Sequence, residues 1–167
     1  SFINTTTGRF GGGAIRGDTI TVINSTFNHT TSRGNGNGGG AIYINSGSAS
    51  VSGSTFINTT AEEGGAIFAN INSNVNVLGS TFINASADQG GAIYSVINTT
   101  LTVIDSKFRN CHAYDNKGSD IYSGGRVILL PNDYDGKTTY TTPAEVYGNP
   151  VIDLEGTFAE VQSYIDI

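Results

Sequence analysis

The residues best equipped for chemistry cluster around one junction in the chain. Lys107 and Arg109 flank Phe108, and Asp133 and Asp135 flank Tyr134, which stands 26 residues later. A spacing of two is strand spacing, so each pair shares a strand face. If these two strands are neighbours, two cations face two carboxylates, with Asp105 close by. Calcium needs several oxygen ligands, and Asn132, Asp133 and Asp135 could supply some of them. The same pattern also reads as two cross-strand ion pairs, Lys107–Asp133 and Arg109–Asp135. Earlier in the chain the equivalent position is held by Thr26, Thr55 and Thr81, not by acids. A second carboxylate cluster is therefore missing, which argues against a paired-carboxylate hydrolase.

Other reactive residues are isolated. Cys111 is the sole cysteine, so no internal disulfide can form, and a lone cysteine acts more often as a small apolar residue than as a nucleophile. His29 has no catalytic or metal partner nearby in sequence. Arg16-Gly17-Asp18 spells an integrin-recognition tripeptide, but it falls between strands, where glycine is common, and so short a motif is weak evidence. Asn-x-Ser/Thr triplets begin at Asn4, Asn24, Asn28, Asn58, Asn84 and Asn98.

These residues are positioned by a repeat. Phe2, Phe27, Phe56, Phe82 and Phe108 are separated by 25, 29, 26 and 26 residues. Gly-Gly-Ala-Ile follows at 12–15, 39–42, 64–67 and 90–93. A unit of that size cannot bury its own apolar face, so copies must stack. Val22, Val51, Val77 and Val103 lie five residues before the phenylalanines, and Ser25, Ser54, Ser80 and Ser106 lie two before. The odd step between valine and serine marks a corner or bulge. Two residues after Phe stand Asn4, Asn58, Asn84 and Asn110, with His29 interrupting. Period-two reasoning places them inward as a hydrogen-bonded ladder. On that reading Asn4, Asn58 and Asn84 are hidden, and Asn24, Asn28 and Asn98 are the glycan acceptors if the host glycosylates; the abundance of Asn and Thr alone would also produce such triplets.

The pattern predicts an all-β protein, a right-handed parallel β-helix with coils of about 26 residues; the handedness follows the rule for parallel crossovers. Equivalent residues stack roughly 4.8 Å apart. Residues 1–132 form the regular coils. Residues 133–167 form degenerate closing coils aligned through Tyr134 and Phe158, or else begin a separate small domain. The first segment has seven acids and seven bases. The second has seven acids and only Lys137, which accounts for the net charge of −6. There is no basic patch for nucleic acid and no apolar run long enough for a membrane helix. The chain opens within a repeat, as expected of a piece of a longer protein.

Alternation also places Tyr43, Phe68, Tyr94 and Tyr122 outward, one after each repeated Ile, with Arg16 in the first coil. Stacked, they form an exposed aromatic stripe able to pack against sugar rings or a protein. Cover by the apolar tail, or a one-residue slip of register, would remove it. The Thr26–Thr55–Thr81 column faintly suggests ice binding, but isoleucines rather than threonines flank it.

Ser-Thr-Phe-Ile-Asn-x-x-Ala-x-x-Gly-Gly-Ala-Ile-Phe/Tyr, as in residues 54–68 and 80–94, resembles the adhesin-like surface proteins of methanogenic archaea. It is related to the polymorphic outer-membrane protein repeat of bacteria. That bacterial repeat has Asn three residues after Phe, whereas Asn58 and Asn84 lie at two, which favours the archaeal type. The resemblance covers about residues 1–125. It implies an extracellular, cell-surface β-helical stalk for adhesion to a glycan or protein of another cell, with no catalytic residues and no membrane insertion by this segment. The alternative is a calcium-dependent enzyme similar to the parallel β-helix polysaccharide lyases, with Asp133 and Asp135 as metal ligands.

Overall fold

The computed structural model describes residues 1–8, 11–34, 36–130, 132–135, 137–139 and 146–148. Among them all regular structure is strand. Three parallel sheets run the length of a β-solenoid. The phenylalanine sheet joins Phe2–Ile3, Thr26–Asn28, Thr55–Ile57, Thr81–Ile83, Lys107–Arg109 and Asn132–Tyr134. The isoleucine sheet joins Ile15–Gly17, Ile42–Ile44, Ile67–Ala69, Ile93–Ser95, Ile121–Ser123 and Val146–Gly148. The valine sheet joins Ile20–Ile23, Gly47–Ser52, Ser73–Leu78, Thr100–Ile104 and Arg126–Leu130. Short strands and bridges link the coils again before the glycine pair, as at Ser86↔His112 and Thr60↔Ser86.

The register is the one the repeat demands. Phe27 pairs with Phe56, Phe56 with Phe82 and Phe82 with Phe108. Tyr134 continues the column. The rings stack nearly parallel, with centroids 4.8 to 5.2 Å apart from Phe2 through Tyr134. Phe27, Phe56, Phe82 and Phe108 are fully buried, beside Val51, Val75, Val77, Leu101 and Val103. A coil this thin has no second layer, so its core is this set of columns.

The step between valine and serine is a corner. Asn24, Gly53, Gly79 and Asp105 occupy it with φ between 47° and 55°, the left-handed region open to Gly, Asn and Asp. The serine beyond turns inward and carries the corner's hydrogen bonds. Ser54 N donates to Ser80 Oγ (3.2 Å) and Ser80 N to Ser106 Oγ (3.2 Å). Each hydroxyl donates in turn to the carbonyl two residues earlier, as Ser80 does to Leu78 O (3.1 Å). Backbone groups that the corner would otherwise strand are thereby satisfied.

The asparagine column differs from the inward ladder expected. Asn4, Asn84, Asn110 and His29 are exposed and Asn58 is half-buried. All five have φ from 51° to 54°. A left-handed residue breaks the strand alternation, so period two cannot be carried across it. The next residue turns inward instead: Thr30, Thr59 and Ala85 are fully buried. A ladder does exist, but on the surface. Asn84 Nδ2 donates to Asn58 Oδ1 (3.1 Å), and Asn58 Nδ2 lies 3.3 Å from His29 Nε2.

Tyr134 and Tyr147 bring part of the acidic segment into the solenoid. Asn132–Tyr134 turns back antiparallel onto Lys137–Thr139, and Val146–Gly148 pairs with Ile121–Ser123. Phe158, expected to anchor a further coil, lies outside the described residues.

Candidate ligand-binding face

The repeated glycines prepare the aromatic row. A Cβ on Gly40 would run into the Gly65 carbonyl oxygen and the Thr60 backbone, and Gly65 meets Gly91 and Ser86 in the same way. Only glycine permits so close an approach between coils. The chain then enters Ile-x-Ile/Ala/Ser strands whose first and third residues point to the core. Ile42 and Ile44, Ile67 and Ala69, and Ile93 and Ser95 are fully buried.

The middle residue of each strand points outward, and these residues stack. Tyr43–Phe68, Phe68–Tyr94 and Tyr94–Tyr122 centroids lie 5.1, 5.4 and 4.6 Å apart with ring planes within 10°. Tyr147 extends the row at 5.5 Å from Tyr122. Arg16 caps the other end, its guanidinium carbon 5.0 Å from the Tyr43 centroid and its Nε donating to Asn45 Oδ1 (2.7 Å). Cation–π attraction of this kind is worth roughly 0.5–1 kcal/mol at an exposed site.

The row is not exposed along its whole length. Tyr43 is 5% exposed and Phe68 0%, whereas Tyr94 and Tyr122 are half-buried and Tyr147 is 46% exposed. The register holds; the expected accessibility of Tyr43 and Phe68 does not. Stacking takes both faces of Phe68, Tyr94 and Tyr122 alike, so the difference lies at the ring edges. Glu63 also lies close enough to act on both Tyr43 and Tyr94. Burial, and then the Glu63 carboxylate, push the Tyr94 hydroxyl up to about 12. Burial likewise raises Glu63, with Glu62 adding repulsion and Tyr94 opposing the shift. What remains for a ligand is the edge formed by Tyr94, Tyr122 and Tyr147.

The carboxylate cluster resolves into an ion pair. Lys107 is the backbone partner of Asp133, yet Arg109 reaches Asp133 diagonally. Its Nη1 donates to Oδ1 (3.0 Å) and its Nη2 to Oδ2. Asp135 Oδ1 accepts from the Asn110 backbone amide (2.8 Å). Both Asp133 oxygens are thus engaged by a guanidinium, and the Asn132 amide is bonded to Ser106 N and Val103 O. Among the described residues no group of three His, Cys, Asp or Glu is placed to hold a metal ion.

Arg16 and Asp18 of the tripeptide are exposed, but Arg16 is held by Asn45 and Tyr43 within a strand. Cys111 is buried beside Asp120, which replaces the repeated alanine before Ile121. Burial, with Asp120 nearby, pushes the thiol far above its usual range. Two members of the row's environment escaped the sequence reading. Tyr147 follows Tyr122 by 25 residues, so extending the period along the tyrosines as well as the phenylalanines would have found it. Glu63 carries no sequence signal, because its role depends on which coil edge it overlooks.

The fold and this face define a parallel β-solenoid with a stacked outward aromatic row. Comparison with family models, curated proteins and solved structures found no match.

Proposed function

We propose that this chain is a non-catalytic segment of a cell-surface adhesin, a stiff spacer whose side face and corners meet a glycan or protein on another cell. The observation carrying this reading is the unbroken register from Phe2 to Tyr134. Each coil hydrogen-bonds to the next along three sheets, so the columns resist bending, while insertions are confined to the connections. The longer connection around 32–38 adds residues without shifting any column. A stalk needs this combination of a constant axis and variable corners.

The partner meets the accessible end of the aromatic row. Tyrosine offers a flat apolar face with a polar tip, which suits sugar rings and protein surfaces alike. The test is a glycan-array and cell-binding assay of wild type against a Tyr94→Ser/Tyr122→Ser/Tyr147→Ser variant, with strand content checked by circular dichroism. Binding should be lost while the fold persists. Undiminished binding by the folded triple variant would refute the assignment of this face. Depolymerisation of an acidic polysaccharide with added calcium would refute the non-catalytic reading.

A further inference from the structure

The exposed corners change which Asn-x-Ser/Thr triplets can be modified. Asn4, Asn24, Asn58, Asn84 and Asn98 all stand in left-handed conformation, with φ from 47° to 58°. Asn4, Asn24, Asn84 and Asn98 are exposed and Asn58 is half-buried. The hydroxyl residue two positions on is not buried either, although the Thr60 and Ser86 hydroxyls lie 3.3 Å apart. Thr6 and Thr60 are exposed, and Thr26, Ser86 and Thr100 are half-buried. Asn28 is different. It ends the strand Thr26–Asn28, its Oδ1 lies 2.6 Å from His29 Nδ1, and its partner hydroxyl Thr30 is fully buried.

We propose that the corner asparagines are attachment sites for N-linked glycans and that the fold withholds Asn28. In the transfer, Asn Nδ2 attacks the anomeric carbon of an activated sugar, either a nucleotide sugar or a polyprenyl-pyrophosphate oligosaccharide. The N–C bond forms as the C–O bond to phosphate breaks. The phosphate-bearing group leaves with the bonding pair, and a base of the transferase takes one amide proton. No electrons are exchanged with any other reagent.

The stacking adds a constraint. Asn58 and Asn84 occupy successive coils with their amides hydrogen-bonded at 3.1 Å. Coils are about 4.8 Å apart, and a glycan is far bulkier than that. One of the two therefore carries a glycan on any one molecule, not both. Asn24 has no such rival, because Gly53 occupies its column in the next coil. Asn98 lies between the isoleucine-sheet strand Ile93–Ser95 and the valine-sheet strand Thr100–Ile104, and the other acceptors lie beside the phenylalanine sheet.

Two measurements test this. The folded full chain is incubated with a soluble N-glycosyltransferase and a nucleotide glucose, and its peptides are mapped by mass spectrometry. Synthetic peptides spanning each triplet report intrinsic acceptor strength. Folded protein should gain sugar at Asn4, Asn24, Asn98 and the Asn58/Asn84 pair. Asn28 should stay bare even though its peptide is modified. Glycopeptides of the chain from its producing cells should show the same sites, never Asn58 and Asn84 together, and Asn84→Gln should raise occupancy at Asn58. Bare corners where the peptides react, modification of Asn28 in folded protein, joint occupancy of Asn58 and Asn84, or unmodified corners in the cellular protein would each overturn the proposal.

Discussion

The Ser106 backbone amide donates to Asn132 Oδ1 at 2.9 Å, where each earlier coil offers the next serine hydroxyl. Asn132 Nδ2 then donates to Val103 O at 2.9 Å. One amide side chain thus carries on the serine column and ties it back to the valine sheet. Asn132→Ala strands a buried donor and a buried acceptor, and should cost about 1–3 kcal/mol. Asn132→Ser restores the acceptor and should recover most of that loss. Urea unfolding of the two variants checks both values.

Phe68 and Tyr147 belong to one column but differ in burial, at 0% and 46% exposed. Phe68→Ala should destabilise by about 3–5 kcal/mol, as for other buried aromatic truncations. Tyr147→Ala should stay within about 0.5 kcal/mol, the range of surface substitutions. Chemical denaturation midpoints separate them, and equal losses would show that the column is buried throughout.

Tyr94 should ionise late. Its folded value of about 12 stands above the ordinary value of 10.0. A group whose folded pKa is raised contributes stability that is full below the unfolded value and lost as pH rises through the folded one. The chain should therefore lose stability between about pH 10 and pH 12. Tyr94→Phe should flatten that loss. Glu63→Gln removes a neighbouring carboxylate and should bring the Tyr94 transition down. Difference ultraviolet titration of wild type against Tyr94→Phe isolates the one phenol.

Cys111 should be inert in the native protein. Burial holds its thiol protonated at neutral and mildly alkaline pH, and the thiolate is the reactive form. Iodoacetamide at pH 8 should label it only after urea is added. Stoichiometric labelling of native protein, read by intact mass, would show that the coil opens there.

Gly40 is the sharpest backbone test. A methyl group there meets the Gly65 carbonyl oxygen and the Thr60 backbone, neither of which can swing aside. Gly40→Ala should cost about 3 kcal/mol or more. Gly8→Ala, with open space around its Cβ position, is the control. Thermal unfolding compares the two.

Much of this architecture is legible in the chain because parallel stacking converts sequence period into spatial contact. The spacings of Phe2, Phe27, Phe56, Phe82 and Phe108 are themselves the register, and even Tyr134 falls on it. The corner beside Ser54 and Ser80 was readable from a break in the two-residue rhythm. The asparagine corner was not. Asn and His tolerate a left-handed φ, and their recurrence after Phe-x hints at one, but strict alternation carried across them puts Asn58 and Asn84 on the wrong side. The ion pair was misassigned for a related reason, since backbone register aligns Lys107 with Asp133 while the longer reach of Arg109 decides the contact.

By itself the sequence determined the stacked coil, its phenylalanine and valine columns and the outward sense of the tyrosines, because each follows from periodicity and strand geometry. The tertiary structure decided which of those tyrosines water can reach, that Asp133 pairs with Arg109, and that the asparagines face outward. These depend on φ at single residues and on what neighbouring coils cover, neither of which is written in a repeat length.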